Sequence, residues 1–284
     1  MLSDVQLARH RLPDGVELHL LEQGAGEAVL LLHGGLGDCF SWRAQMDALA
    51  PRFRAIACSR RHHFPNRNPA PAGTHPIDTD VADLESLLKL LGLARAHLVG
   101  TSYGALVALA FALGRPQQVA SLVLAEPPLH GWARRTAQGE ALHANFMADV
   151  WQPARRAFDD GRDFNAVQRL LDGIWGRAVF ASLPTERVDV ALRNARGMRA
   201  ITRTSDPFPD LPCAAVAGLR MPTLLVRGEH ASPLHRLVVD ELALAMPAAA
   251  QAVIAGAGHG SPQENAFGFN AAMLGFLVRQ SAGA

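Results

Sequence analysis

The sequence predicts an α/β fold: a mostly parallel central sheet flanked by helices, with a helical insertion late in the chain. Three observations predict it. Short β-rich runs alternate with helical patterns from the start of the chain. One run, Ala28 to Leu32 (AVLLL), is apolar without interruption, as a strand buried on both faces is. Between about Pro127 and Met221 the alternation stops and helical patterns take over.

Taken in order, residues 4–12 and 16–22 read as two strands joined by Pro13-Asp14-Gly15, a run of turn formers. AVLLL is the third strand. Further strands are expected at 53–58, 96–100, 120–125, 222–227 and 250–254. Val81, Leu84, Leu87, Leu88 and Leu91 recur at helical spacing, with Gly92 placed to end that helix. Asn66 to Pro76 is a proline-rich loop. Residues 104–113 (GALVALAFAL) are apolar all round, so their helix should be buried. The chain closes on a helical run at 264–279. The expected division is a core of residues 1–126 and 222–284 and a helical cap of 127–221; a separate structural helical domain is the competing reading.

A chain of 284 residues, 49% of them apolar, suits one α/β domain with an insertion. A formal charge of +1 argues against a nucleic-acid partner, which would need a basic stripe. The first fifteen residues lack the basic-then-apolar pattern of a signal peptide, and no apolar run reaches the ~18–20 residues that span a bilayer. Cys39, Cys58 and Cys213 form neither a disulfide framework nor a zinc pattern. The expectation is a cytoplasmic protein acting on a small molecule, with no nucleic-acid or membrane partner, no metal and no cofactor.

Chemistry is carried first by HLVGTSYGA, His97 to Ala105, which contains G-x-S-x-G from Gly100 to Gly104. The pentapeptide alone is weak, but it falls where a strand meets a buried helix. That junction forces a sharp turn exposing Ser102, and the glycines relieve the crowding. Ser102 then sits at a helix N-terminus, which favours developing negative charge. An incidental serine in a glycine-rich turn is the bland reading. The second element is LLLHGGLGDC, Leu30 to Cys39, a flexible loop after a buried strand. It can aim the Gly35 N–H at an oxyanion, with the Tyr103 N–H as partner. Phosphate binding is the weaker reading, because no G-K-[ST] follows and G-x-G-x-x-G spacing is absent. The third is GAGHGSPQEN, in which His259 follows the last strand between glycines, a candidate general base rather than one more solvated histidine.

These three elements together resemble the α/β-hydrolase superfamily across essentially the whole chain. The resemblance implies an α/β-hydrolase fold with a cap after strand six, Ser102 as nucleophile and His259 as base. It also raises a difficulty. The family's usual acid follows strand seven, and in LLVRGEHASP that place holds Ala231. Glu229 stands two residues earlier. In some members the acid is a glutamate after strand six, and here SLVLAEPPL puts Glu126 there, otherwise readable as a hinge into the cap. Glu126 is the expected acid and Glu229 the alternative. Epoxide hydrolases and haloalkane dehalogenases of this fold attack with aspartate; Ser102 points instead to acyl transfer.

The resemblance therefore implies a serine hydrolase cleaving a carboxylic ester or lactone through an acyl-enzyme. Hydrolysis of a C–C bond beside a ketone uses the same triad, and a non-catalytic ligand-binding protein is the reading from another class. A narrower resemblance is to zearalenone lactonases, through Gly35 to Cys39 and the proline-containing segment after the strand-six acid; the chain departs from them at His33-Gly34. Leu36, Trp132, Trp151 and Trp175 are candidates to line an apolar pocket, or, for the tryptophans, to form the cap's own core. In SRRHHFPN, Arg60, Arg61, His62 and His63 read as solvated, with contact to an acidic substrate group or a metal as the sharper alternatives.

Overall fold

A computed structural model describes residues 5–69 and 74–281. Residues 1–4, where the first expected strand begins, residues 70–73 of the proline-rich loop and residues 282–284 lie outside the described residues. Eight strands form one sheet in the order β1-β2-β4-β3-β5-β6-β7-β8. They are β1 (Gln6–Arg11), β2 (Glu17–Gln23), β3 (Ala28–Leu32), β4 (Arg54–Cys58), β5 (Ala96–Thr101), β6 (Val119–Ala125), β7 (Thr223–Gly228) and β8 (Ala250–Ile254). Each lies within two residues of its expected position. Strand β2 pairs antiparallel with both β1 and β4, and every other pair is parallel.

The uninterrupted AVLLL run reflects burial on both faces. Leu30 and Leu32 enter one apolar layer and Val29 and Leu31 the other, because successive side chains of a strand point to opposite faces. The first layer is packed by α2 (Ile77–Leu90), α3 (Tyr103–Gly114) and the helix Pro233–Ala245. Helix α2 ends as expected, with Gly92 at φ +67. The second layer is packed by α1 (Arg43–Leu49) and the helix Ala266–Ser281, through Trp42, Met46, Phe269 and Met273. The expected run at 264–279 is two pieces, since Ser261–Glu264 is a separate short turn of helix.

Between β6 and β7 the chain is helical, and no strand interrupts it. Its longest helix, Asp163–Trp175, buries Ala166, Val167, Leu170, Leu171 and Trp175, the spacing that puts one stripe against a neighbour. Gly176 closes it at φ +67. The apolar layer on the α3 side of the sheet continues into this segment through Trp132, Trp151, Phe158 and Leu170. Among the described residues no helix is long and apolar enough to cross a membrane.

Candidate active site

Parallel strands release their following loops at one edge of the sheet. That edge carries Gly34-Gly35 after β3, Ser102 after β5, Glu126 after β6 and His259 after β8. Strand β5 ends at Thr101 and α3 begins at Tyr103, so Ser102 alone makes the turn, at φ +51. A residue with a side chain held at positive φ costs about 1–3 kcal/mol. The surroundings hold it there: the Ser102 N–H donates to Ala125 O at 2.7 Å. The glycines are sterically required. A Cβ on Gly100 would lie 2.5 Å from Gly104 O, and one on Gly104 would collide with the carbonyls of Leu32 and His33.

Glu126 is the second non-glycine residue at positive φ, at +47, directly before Pro127 and Pro128. The residue is 1% exposed. Oε1 accepts the Gly228 N–H at 2.8 Å, and Oε2 lies 2.7 Å from His259 Nδ1. Burial pushes this carboxyl up, but the His259 hydrogen bond and the nearby imidazoles outweigh it and hold Glu126 below the ordinary glutamate value. An ionised carboxylate only accepts, so Nδ1 of His259 donates to it, which in a neutral imidazole leaves the lone pair on Nε2. His235 stands beside the pair, its ring centroid 4.4 Å from that of His259. Burial first, then His259, pushes its pKa down to about 3, so it is neutral near pH 7. Ligand atoms of Glu126, His235 and His259 lie within 4.8 Å of one another, a set able to hold a metal ion.

Ser102 and His259 line one cavity of about 450 Å³, together with Gly35, Leu36, Tyr103, Trp151 and Trp175. Among the described residues, neither the Gly35 nor the Tyr103 N–H donates to a backbone carbonyl. Two free amides beside a serine hydroxyl can stabilise an oxyanion, and a neutral imidazole with a free Nε2 can take the serine proton. A larger groove, about 920 Å³, runs along the helical segment near Asp149, Arg169 and Ser232. Ser102, Glu126 and His259 do not line it, so the smaller cavity is the chemically equipped one.

Three expectations are corrected. Trp132 is fully buried away from the cavity, with Nε1 donating to Leu211 O at 2.8 Å. Glu229 does not meet His259; its Oε2 takes the Gly256 N–H at 2.7 Å and braces the turn before it. The SRRHHFPN loop is not solvated. Arg60, His62 and His63 are buried, and none of residues 60–63 lines the cavity. Arg60 pairs with Asp80 at 3.3 Å, stacks over the Tyr103 ring and donates to Gly34 O at 3.3 Å. His63 Nε2 donates to Gly35 O at 3.0 Å, and Arg61 pairs with Asp83 at 2.9 Å. Arg60 and His63 thus hold the Gly34 and Gly35 carbonyls, while Arg61 ties the loop to Asp83.

The Alpha/beta hydrolase family model matches residues 29–272. The chain belongs to the alpha/beta hydrolase family. This alpha/beta hydrolase is 42% identical over 167 residues to an epoxide hydrolase from Caballeronia sordidicola, covering 58% of the chain and 47% of the relative. It is 36% identical over 126 residues to a 2-hydroxy-6-oxo-2,4-heptadienoate hydrolase from Pseudomonas putida, covering 43% and 45%. The chain spans less than half the length of these curated relatives. Among solved structures it is similar to the enol-lactonase from Burkholderia xenovorans LB400, with a TM-score of 0.74, 21% identity and coverage of 95% and 100%. At that identity the likeness is one of fold.

Parts of this alpha/beta hydrolase's site went unread in the sequence. Glu264 organises the His259 loop: its oxygens accept from Trp175 Nε1 at 2.6 Å, Gly258 N at 2.7 Å and Gly260 N at 3.1 Å. His33 bridges β3 to the β4 loop, its Nδ1 donating to Gly34 O at 2.8 Å and its Nε2 accepting the Arg60 N–H at 3.0 Å. His33 belongs to the HGG run already singled out, although its bridging role was not; no local sequence signal marks Glu264.

Proposed function

We propose that this chain is a serine hydrolase that cleaves a carboxylic ester or lactone through an acyl-enzyme. The observation that carries the reading is the His259–Glu126 pair at 2.7 Å, with Ser102 on the same cavity at a strained strand-to-helix turn. Ser102 Oγ attacks the carbonyl carbon while His259 Nε2 takes its proton. The Gly35 and Tyr103 N–H groups receive the oxyanion, and Glu126 stabilises the imidazolium. Collapse expels the alcohol, which takes the proton from His259. A water then repeats the sequence in reverse and frees Ser102. In a lactone both products stay joined as one hydroxy acid. Residues 127–221 act as the cap that supplies Trp151 and Trp175 to the apolar wall, over a core of 1–126 and 222–284. Epoxide opening by the alkyl-enzyme route needs the aspartate nucleophile that Ser102 replaces.

The test is labelling by a fluorophosphonate probe beside turnover of 4-nitrophenyl butyrate and a lactone panel. Wild type is expected to label at one site and turn over. Ser102→Ala is expected to lose labelling and at least about 10³-fold in turnover. A folded wild type that neither labels nor turns over would sink the reading in favour of a ligand-binding protein. Labelling with turnover only of a vinylogous 1,5-diketone would favour the C–C hydrolase.

A further inference from the structure

We infer that Arg187 anchors a carboxylate on the substrate, so that the cavity takes an ester or lactone carrying an anionic group at a distance from the reacting carbonyl. The inference rests on Ser102 being the nucleophile of that cavity.

Arg187 belongs to the helix Thr185–Arg193 of the segment between β6 and β7, and it lines the cavity with Ser102 and His259. Its Nη2 lies 3.1 Å from where a Cβ on Gly260 would stand, which puts the guanidinium beside the residue following His259. Three arginines of the segment are matched to carboxylates, Arg193 with Asp38, Arg199 with Asp163 and Arg203 with Asp159, and Arg196 donates to the Asn68 carbonyl. Arg60 and Arg61 are matched as well, with Asp80 and Asp83. Arg187 is not. Among the described residues its guanidinium makes no hydrogen bond and no close ion pair.

The acidic side chain acting on it is Glu264, and only at longer range. Both Glu264 oxygens are already engaged by Trp175, Gly258 and Gly260. Burial disfavours the Arg187 charge, and Glu264 opposes this only in part. Glu186 also lines the cavity but is exposed. Trp151, Ile174, Leu183 and Val190 add apolar surface to the wall of the same cavity. A carboxylate entering this space finds a forked set of free donors, the geometry that guanidinium recognises best. A neutral substrate would leave those donors desolvated and unmatched.

The test uses the full chain and mono-4-nitrophenyl esters of succinic, glutaric and adipic acids, each beside its methyl ester. Wild type is expected to favour at least one acid over its methyl ester about tenfold or more in kcat/KM. Arg187→Met is expected to cost that acid about thirtyfold, mostly in KM, with little change for the methyl ester, the scale of one charge-assisted hydrogen-bonded contact. Arg187→Lys should restore part of the preference. Wild type favouring every methyl ester would overturn the inference. So would Arg187→Met slowing both classes alike, which is the signature of a residue that only supports Glu264 and the His259 loop. Calorimetric binding of monomethyl glutarate, succinate and adipate to Ser102→Ala and Ser102→Ala/Arg187→Met separates the two proposals. Arg187-dependent binding without turnover by wild type keeps the anchor and removes the esterase. Turnover of neutral esters without Arg187-dependent binding does the reverse.

Discussion

Glu126→Gln is expected to lower kcat by about four orders of magnitude, with KM and folding nearly unchanged. The size follows from which way the new amide must face. The Gly228 N–H donates to one oxygen of Glu126 at 2.8 Å, so the carbonyl of a glutamine is held on that side. The amide NH₂ is then forced toward His259 Nδ1, where it donates. Nδ1 must accept, the proton moves to Nε2, and the lone pair that Ser102 needs is gone. Glu229→Gln is the control, expected to stay within about threefold, a change of under 1 kcal/mol, because Glu229 serves the Gly256 amide. Burst-phase and steady-state kinetics of both variants give the answer. If Glu126→Gln turns over normally while Glu229→Gln is dead, the proposed triad is wrong.

Acid is expected to weaken the fold steeply below about pH 6.5. Burial lowers the pKa values of His33 and His235 to about 3 and of His62 to about 4, and sets His63 and His130 well below the ordinary value. Their folded values are depressed, so the unfolded chain binds protons first as pH falls. The stability tied to neutral imidazole is complete above the unfolded value near 6.5, and it drains away as pH drops toward the folded value. Each buried histidine contributes up to about 1.4 kcal/mol per pH unit across that window. Asp80, held below its ordinary value by His75 and Arg60 against the opposing effect of burial, adds a further loss at lower pH. Urea midpoints at pH 7.5 and pH 5 measure the sum.

His130→Phe isolates one member. Neither His130 nitrogen has a hydrogen-bond partner, and the ring stacks on Phe208 at 4.0 Å, an arrangement a phenyl ring can keep. The variant should lose nearly one proton from the slope of stability against pH between pH 5 and 6. An unchanged slope would mean that His130 is protonated in the folded protein.

The inner strands were legible because a doubly covered strand must be apolar at nearly every position, as AVLLL is, whereas the partly exposed β1 and β2 were legible from the Pro13-Asp14-Gly15 turn between them. Ser102, Glu126 and His259 were legible because each stands at an element boundary beside residues that suit a turn. Burial of the Arg60–His63 run was not. A row of basic side chains looks solvated until Asp80, twenty residues on, and the Tyr103 ring are known to surround Arg60. Trp132 and Trp151 could not be told apart by type. One turns its indole to the Leu211 carbonyl and the other faces the cavity, and that depends on how each helix is rotated. Arg187 and Glu264 sit 77 residues apart in the chain, and nothing local marks either. Separation in sequence, rather than subtlety of chemistry, hid them.

The proposed acid, Glu126, is also the last residue before the chain leaves the sheet. Glu126 is followed at once by Pro127 and Pro128, and its own backbone N–H reaches Val226 O at 3.2 Å. Descent with modification is therefore channelled. The turn after β7, from Glu229 to Ser232, supplies no group to the proposed proton transfer; Glu229 braces the Gly256 turn instead. The short β6 exit does supply one: any insertion between Ala125 and Pro128 would shift the carboxylate with it. New substrate preferences can then arise in the helices beyond Pro128 and in the loop after β3, both of which line the cavity, with the peptide that carries the carboxylate left intact.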